Sequence, residues 1–164
     1  MENIIANSKK KVENTETGFK RFLLKNLTLE RRLIAIKGAR GTGKTTMMLQ
    51  FMKENFGTSD EALYVSLDNI YFARNKIYYF VDEYVKNGGK FLFLDEIHKY
   101  PGWSREIKNI YDDFPELKVV FTGSSILDID RSEADLSRRA AVHELPSLSL
   151  REYVTLKTGI EFEP

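Results

Sequence analysis

Gly38-Ala39-Arg40-Gly41-Thr42-Gly43-Lys44-Thr45 separates a short apolar run, Leu33-Ile34-Ala35-Ile36, from a stretch rich in Met, Leu, Gln and Phe that ends at Asn55. The octet fits G-x-x-x-x-G-K-[ST] in full, and its setting after a strand and before a helix is the one the motif requires. Glycines let the backbone turn tightly enough for its N–H groups to converge on phosphate oxygens. The helix that begins there adds roughly half a positive charge of dipole at the same point. On this reading Gly38, Ala39, Arg40, Gly41, Thr42 and Gly43 cradle the phosphates. Lys44 reaches the β- and γ-phosphates, the Thr45 hydroxyl ligates Mg²⁺, and Thr46 bonds the α-phosphate. Arg40 is not demanded by the motif and is read either as a phosphate contact or as a solvent-facing side chain.

Outward from the octet, apolar runs alternate with helical patterns. Ala62–Ser66, Lys90–Leu94, Leu117–Phe121 and Val142–Leu145 read as further strands. Between and after them, Phe72–Lys86, Trp103–Phe114 and Ser149–Lys157 read as helices, the first closed by Asn87-Gly88-Gly89. Strands separated by helices of this length make a parallel sheet covered on both faces, an α/β fold. Upstream, Phe19, Phe22, Leu23 and Leu27 recur at helical spacing and predict a helix over Thr15–Asn26. Residues 1–14 are polar and are read as a flexible or weakly helical lead-in. Their Lys9-Lys10-Lys11 run is a solvated face on one reading and a nucleic-acid contact on the other. Residues 125–138 read as a polar loop or short helix.

Composition narrows the function classes. The 164 residues are 42% hydrophobic and 30% charged, a globular balance sufficient for one domain with a core. No cysteine is present, which excludes disulfides, thiolate zinc sites and thiol nucleophiles and is compatible with a cytoplasmic setting. No apolar run approaches the ~18 residues that span a bilayer, so no membrane partner is expected. The net charge of +1 conceals a division. Residues 1–44 carry 11 basic and 4 acidic side chains (+7), and the remainder carries 14 and 20 (−6).

Phe91-Leu92-Phe93-Leu94 runs directly into Asp95-Glu96. Two acids ending a buried strand are unfavourable unless they hold a cation or perform chemistry. Their side chains alternate faces, so their roles separate. Asp95 is the candidate for the Mg²⁺ shell, directly or through water, and Glu96 for orienting or deprotonating an attacking water. A water-activating base favours hydrolysis over transfer to a second substrate. At the end of the next strand, Thr122-Gly123-Ser124-Ser125 offers hydroxyls near a γ-phosphate, with Ser124 preferred and Ser125 second. Arg138 or Arg139 could stabilise transition-state charge, in its own chain or a neighbour's. His98 and His143 have no ligand spacing, and Trp103 is read as a helix-start anchor.

Four segments taken together, GARGTGKT (38–45), FLFLDE (91–96), FTGSS (121–125) and LSRRAAVHELPSLSLREY (136–153), resemble the AAA+-type ATPases of archaea and bacteria, relatives of the additional-strand P-loop ATPases. The last segment is the more family-specific one. The resemblance implies the P-loop NTPase three-layer α/β/α sandwich with a five-stranded, mainly parallel sheet. It also implies ATP as the nucleotide, and a fourth strand lying between the first and third, which would set Ser124 between the glycine loop and Glu96. It favours Arg139 over Arg138, which stands where the family usually has glycine. Family members continue with a helical segment and a nuclease-like C-terminal domain, so 15–164 is expected to be a core cut off before its lid and effector domain. The reading is therefore a Mg²⁺-dependent ATPase, with a slow-hydrolysing switch or scaffold, or a DNA-associated ATPase, as alternatives. A homo-oligomer and a protein partner are the associations it anticipates.

Overall fold

The computed structural model describes residues 1–124, 136 and 138–160. In chain order these form α1 (Glu2–Glu13), α2 (Phe22–Asn26), β1 (Leu33–Lys37), α3 (Lys44–Asn55), β2 (Ala62–Ser66), α4 (Ile77–Lys86), β3 (Phe91–Asp95), α5 (Trp103–Asp113), β4 (Lys118–Gly123), β5 (Ala140–Glu144) and α6 (Leu150–Thr158). Ser125 and the remainder of the expected polar loop at 125–135 lie outside the described residues, as do 161–164.

The strands join in the order β2-β3-β4-β1-β5, and every pairing is parallel. β4 lies between β1 and β3, as the resemblance implied. Alternation along each strand divides the core in two. Leu33, Ala35, Leu92, Leu94, Val119 and Phe121 pack toward α4 and α5, against Phe80, Ile107 and Ile110. Ile34, Ile36, Phe93 and Val120 pack the other way, against Met47, Met48 and Phe51 of α3. The result is the α/β/α sandwich. Trp103 opens α5 and its ring lies 5.7 Å from that of Phe121, consistent with the anchoring role. Among the described residues, no helix is long and apolar enough to cross a membrane.

Two expectations for the N-terminal quarter are corrected. The lead-in, read as flexible or weakly helical, is a twelve-residue helix, α1, and is not a loose segment but packs on β2 and α3. Ile4, Ser8 and Val12, spaced four apart, share its buried face. Ser8 Oγ accepts a hydrogen bond from the Tyr64 N–H at 2.9 Å, so α1 covers and partly satisfies the outer edge of β2. Conversely, the helix anticipated over Thr15–Asn26 shrinks to α2. The carbonyls of Glu13 and Thr15 accept from Lys53 Nζ, and those of Glu16 and Phe19 from Gln50 Nε2, each at 2.8 Å. Side chains of α3 therefore take over carbonyls that a helix would have satisfied itself. The helix expected from Phe72 also starts late, at Ile77, after a 3₁₀ turn over Ile70–Ala73.

Candidate nucleotide site

The site lies at the carboxyl ends of β1, β3 and β4. After Lys37 the chain passes close to the segment that follows β5, whose Leu145 N–H donates to the Lys37 carbonyl at 2.8 Å. A Cβ at Gly38 would run into the Leu145 carbonyl oxygen, which explains the first glycine by close approach. Gly43 has φ +89° and caps α3, a left-handed conformation that side chains disfavour. Lys44 is 5% exposed, and its Nζ donates to the carbonyls of Gly38 at 2.8 Å and Ala39 at 2.9 Å. Its charge thus lies folded across the loop, with no carboxylate against it among the described residues. Arg40 and Thr46 are exposed.

Asp95 ends β3 at 3% exposure. Its Oδ2 accepts from the Thr45 hydroxyl at 2.7 Å and from the Tyr64 hydroxyl at 2.9 Å, and its Oδ1 accepts from the Thr122 hydroxyl. Three hydroxyls on three elements thus solvate a buried carboxylate. Burial, followed by the charge of Asp95 and the bond to it, pushes the Tyr64 phenol far above its ordinary range, so it stays a donor.

Glu96 follows with φ +56° and ψ +44°, the only non-glycine among the described residues with positive φ. Such a conformation is strained by about 1–3 kcal/mol and persists where the surroundings impose it. Here the Glu96 N–H donates to Thr122 Oγ1 at 3.1 Å, so one threonine fixes both Asp95 and the turn at Glu96. The Glu96 carboxylate, one-third exposed, sits 3.2 Å from His98 Nε2. A cleft of about 400 Å³ brings Arg40, Lys44, Ser66, Glu96, His98 and Ser124 together.

Arg139 is not brought to this cleft. It precedes β5, whose Ala140 is level with Leu33, whereas the loop leaves from Lys37, level with Glu144. Four residues of strand separate the two ends, about 13 Å at strand rise. Arg139 Nε lies 3.3 Å from Asp112 Oδ1, at the end of α5, with its guanidinium near the Tyr111 ring. Of the two arrangements left open for Arg139, its own chain's site or a neighbour's, the sheet register sets the side chain away from its own glycine loop.

Sequence reasoning missed the roles of four contributors. Tyr64 looks like an ordinary strand residue, and His98 carries no ligand spacing. Thr122 reads only as one of several hydroxyls near a γ-phosphate and not as a partner of Asp95 and the Glu96 N–H. The fourth is the pair Arg21 and Glu152, 5% exposed each and joined at 2.8 Å. Burial raises the Glu152 carboxyl, but bonds from Arg21 and from the Ser149 and Phe22 N–H groups, with the Arg21 charge, outweigh this and hold it at about 2.

A family profile described as AAA domain matches residues 30–154. No curated protein matches the chain at a significant level. Among solved structures, PCH-2 of C. elegans is 16% identical with a TM-score of 0.50, over 90% of this chain and 42% of that one. AMPPCP-bound DnaA from Aquifex aeolicus is 18% identical with a TM-score of 0.51, over 93% of this chain and 56% of that one. At these identities the likeness is one of fold, and the chain spans about half the length of these neighbours.

Proposed function

The chain belongs to the AAA domain family, and on that premise we propose that it binds ATP with Mg²⁺ in the cleft beside the glycine loop and hydrolyses it. One observation carries the reading: Thr45 and Asp95, fifty residues apart in sequence, are joined at 2.7 Å. That contact joins the helix opened by the glycine loop to the end of β3, and Lys44 and Glu96 line one cleft beside it. The AMPPCP-bound state of one structural neighbour supports a nucleotide as ligand.

A Mg²⁺ ion fits the donor set. The Thr45 hydroxyl donates a hydrogen bond to Asp95 and its oxygen keeps lone pairs for a cation, and Asp95 can act through water. Mg²⁺ typically takes one or two protein oxygens and completes its shell with water and phosphate. When bound, the ion would neutralise phosphate charge. Lys44 would leave the Gly38 and Ala39 carbonyls for the β- and γ-phosphates, with backbone N–H groups of 38–43 around them and Thr46 on the α-phosphate. Ser124 would bond the γ-phosphate or the water. Glu96, after parting from His98, would take a proton from that water as its oxygen attacks the γ-phosphorus and ADP leaves. Arg139 would serve a neighbouring copy's site, which makes a homo-oligomer part of the proposal.

The test is calorimetric binding of Mg·ATP against Mg·GTP, followed by phosphate release from the same sample. Lys44→Ala should abolish measurable binding. Glu96→Gln should bind ATP normally and lose about 10²–10⁴ in turnover. Wild-type turnover by Glu96→Gln would remove Glu96 from the role of base.

A further inference from the structure

The guanidinium of Arg21 ties its own segment to the glycine loop and to the stretch from Pro146 to Glu152, 21 and more than 120 residues further along the chain. Its Nε donates to Glu152 Oε1 at 2.8 Å, and one terminal nitrogen donates to the Pro146 carbonyl at 2.8 Å. The other terminal nitrogen donates to the carbonyl oxygen of Thr42, inside the glycine loop. Glu152 is held in turn: Oε1 also accepts from the Phe22 N–H at 3.0 Å, and Oε2 from the Ser149 N–H at 2.9 Å. Ser149 and Glu152 complete a capping box at the start of α6. Arg21 itself is extended, and α2 begins only after it.

The Thr42 carbonyl shares a planar trans peptide with the Gly43 N–H, so the two point in opposite directions. Anchoring the oxygen on Arg21 fixes the direction of that N–H. This peptide needs an anchor because Gly43 permits many backbone orientations, and a rotated peptide would turn a phosphate-binding N–H away from its ligand. We infer that Arg21 is a positioning residue that holds the Thr42–Gly43 peptide in its ligand-binding orientation, with Glu152 setting Arg21, so that the glycine loop is tied to the seating of α6. The inference rests on the nucleotide reading for its effect on affinity, but its structural half stands on the contacts alone. A fork of planar donors is required. Lysine, with one compact ammonium, cannot reach Glu152, Thr42 and Pro146 at once.

The experiment compares wild type with Arg21→Met, Arg21→Lys, Glu152→Gln and a core control, Ile110→Val, on the opposite face of the sheet. Two quantities are read: the Kd and kcat for Mg·ATP, and amide exchange of residues 42–44 without nucleotide. Arg21→Met should raise Kd about tenfold or more, as expected on losing a charged hydrogen bond. Arg21→Lys and Glu152→Gln should raise it less, with kcat at saturation retained. The loop amides should exchange faster in all three, and Ile110→Val should alter neither quantity. If Arg21→Met fails to fold, the milder two variants carry the test. Tight wild-type binding together with unchanged Kd in the Arg21 variants overturns the inference and leaves the nucleotide reading intact. An equal rise in Kd for Ile110→Val also overturns it, because a loss of global stability then suffices. If wild type binds no Mg·ATP while the variants still free the loop amides, the nucleotide reading falls and the positioning role stands.

Discussion

Tyr64 donates its hydroxyl to Oδ2 of Asp95 at 2.9 Å, the same oxygen that accepts from Thr45 at 2.7 Å. Tyr64 lies on β2, two residues before the Ser66 that pairs with Asp95, so both side chains emerge on the same face of the sheet. The contact explains how a carboxylate at 3% exposure tolerates burial with no cationic partner among the described residues. Hydroxyl dipoles from β2, β4 and α3 replace its water shell.

Tyr64→Phe should therefore lower stability by about 1.5–3 kcal/mol, the range for a hydrogen bond to a charged group. The substitution is selective, since Lys11 Nζ lies 4.8 Å from the centre of the Tyr64 ring and phenylalanine preserves that face. Urea denaturation at neutral pH measures the change. A loss below a few tenths of a kcal/mol would mean that water replaces the phenol without penalty.

The glycine loop, the acidic pair and all five strands were readable because each is local. A run of apolar residues, a glycine pattern or two adjacent carboxylates announces itself within ten residues. Tyr64 and Thr122 could not be read this way, because their roles arise only when the ends of β2, β3 and β4 are level. Arg21 and Glu152 stand 131 residues apart, and the pair exists only once α6 folds back onto the loop. Helix α1 was obscured for another reason. Its buried face consists of two aliphatics and a serine whose burial is satisfied by the Tyr64 N–H of an edge strand. The left-handed backbone at Glu96 has no local signature either, since the Thr122 hydroxyl that holds it comes from β4.

Acid sensitivity should report the Glu152 site. Its carboxyl is held at about 2 against an ordinary 4.5, so its contribution to stability is complete above pH 4.5 and is lost as pH falls through 2. The shift corresponds to a contribution on the order of 3 kcal/mol. Glu152→Gln should be destabilised at neutral pH, because Arg21 then keeps a buried charge without its partner. The gap between wild type and Glu152→Gln should close as pH falls from 4.5 toward 2, whereas other carboxylates affect both proteins alike. A gap that stays constant through this window would contradict the low carboxyl value.

Arg139 separates two arrangements of the reaction. The sheet register sets it at the amino end of β5, beside Asp112, and away from the loop that follows β1. The Arg139–Asp112 pair is partly exposed, so losing it should change stability by at most about 1 kcal/mol. Arg139→Ala should accordingly leave the Mg·ATP affinity of an isolated copy unchanged, and a tenfold weaker Kd would return the side chain to its own chain's site. Turnover is a different matter if copies assemble. An arginine supplied to a neighbour's γ-phosphate is worth about 10³–10⁵ in rate, and its loss should appear in kcat alone. Mixing decides the arrangement. Arg139→Ala copies retain Lys44, and Lys44→Ala copies retain Arg139, so a mixed assembly contains one site with both groups. Hydrolysis that returns on mixing two inactive variants places Arg139 across an interface, and silence in the mixture removes it from the chemistry.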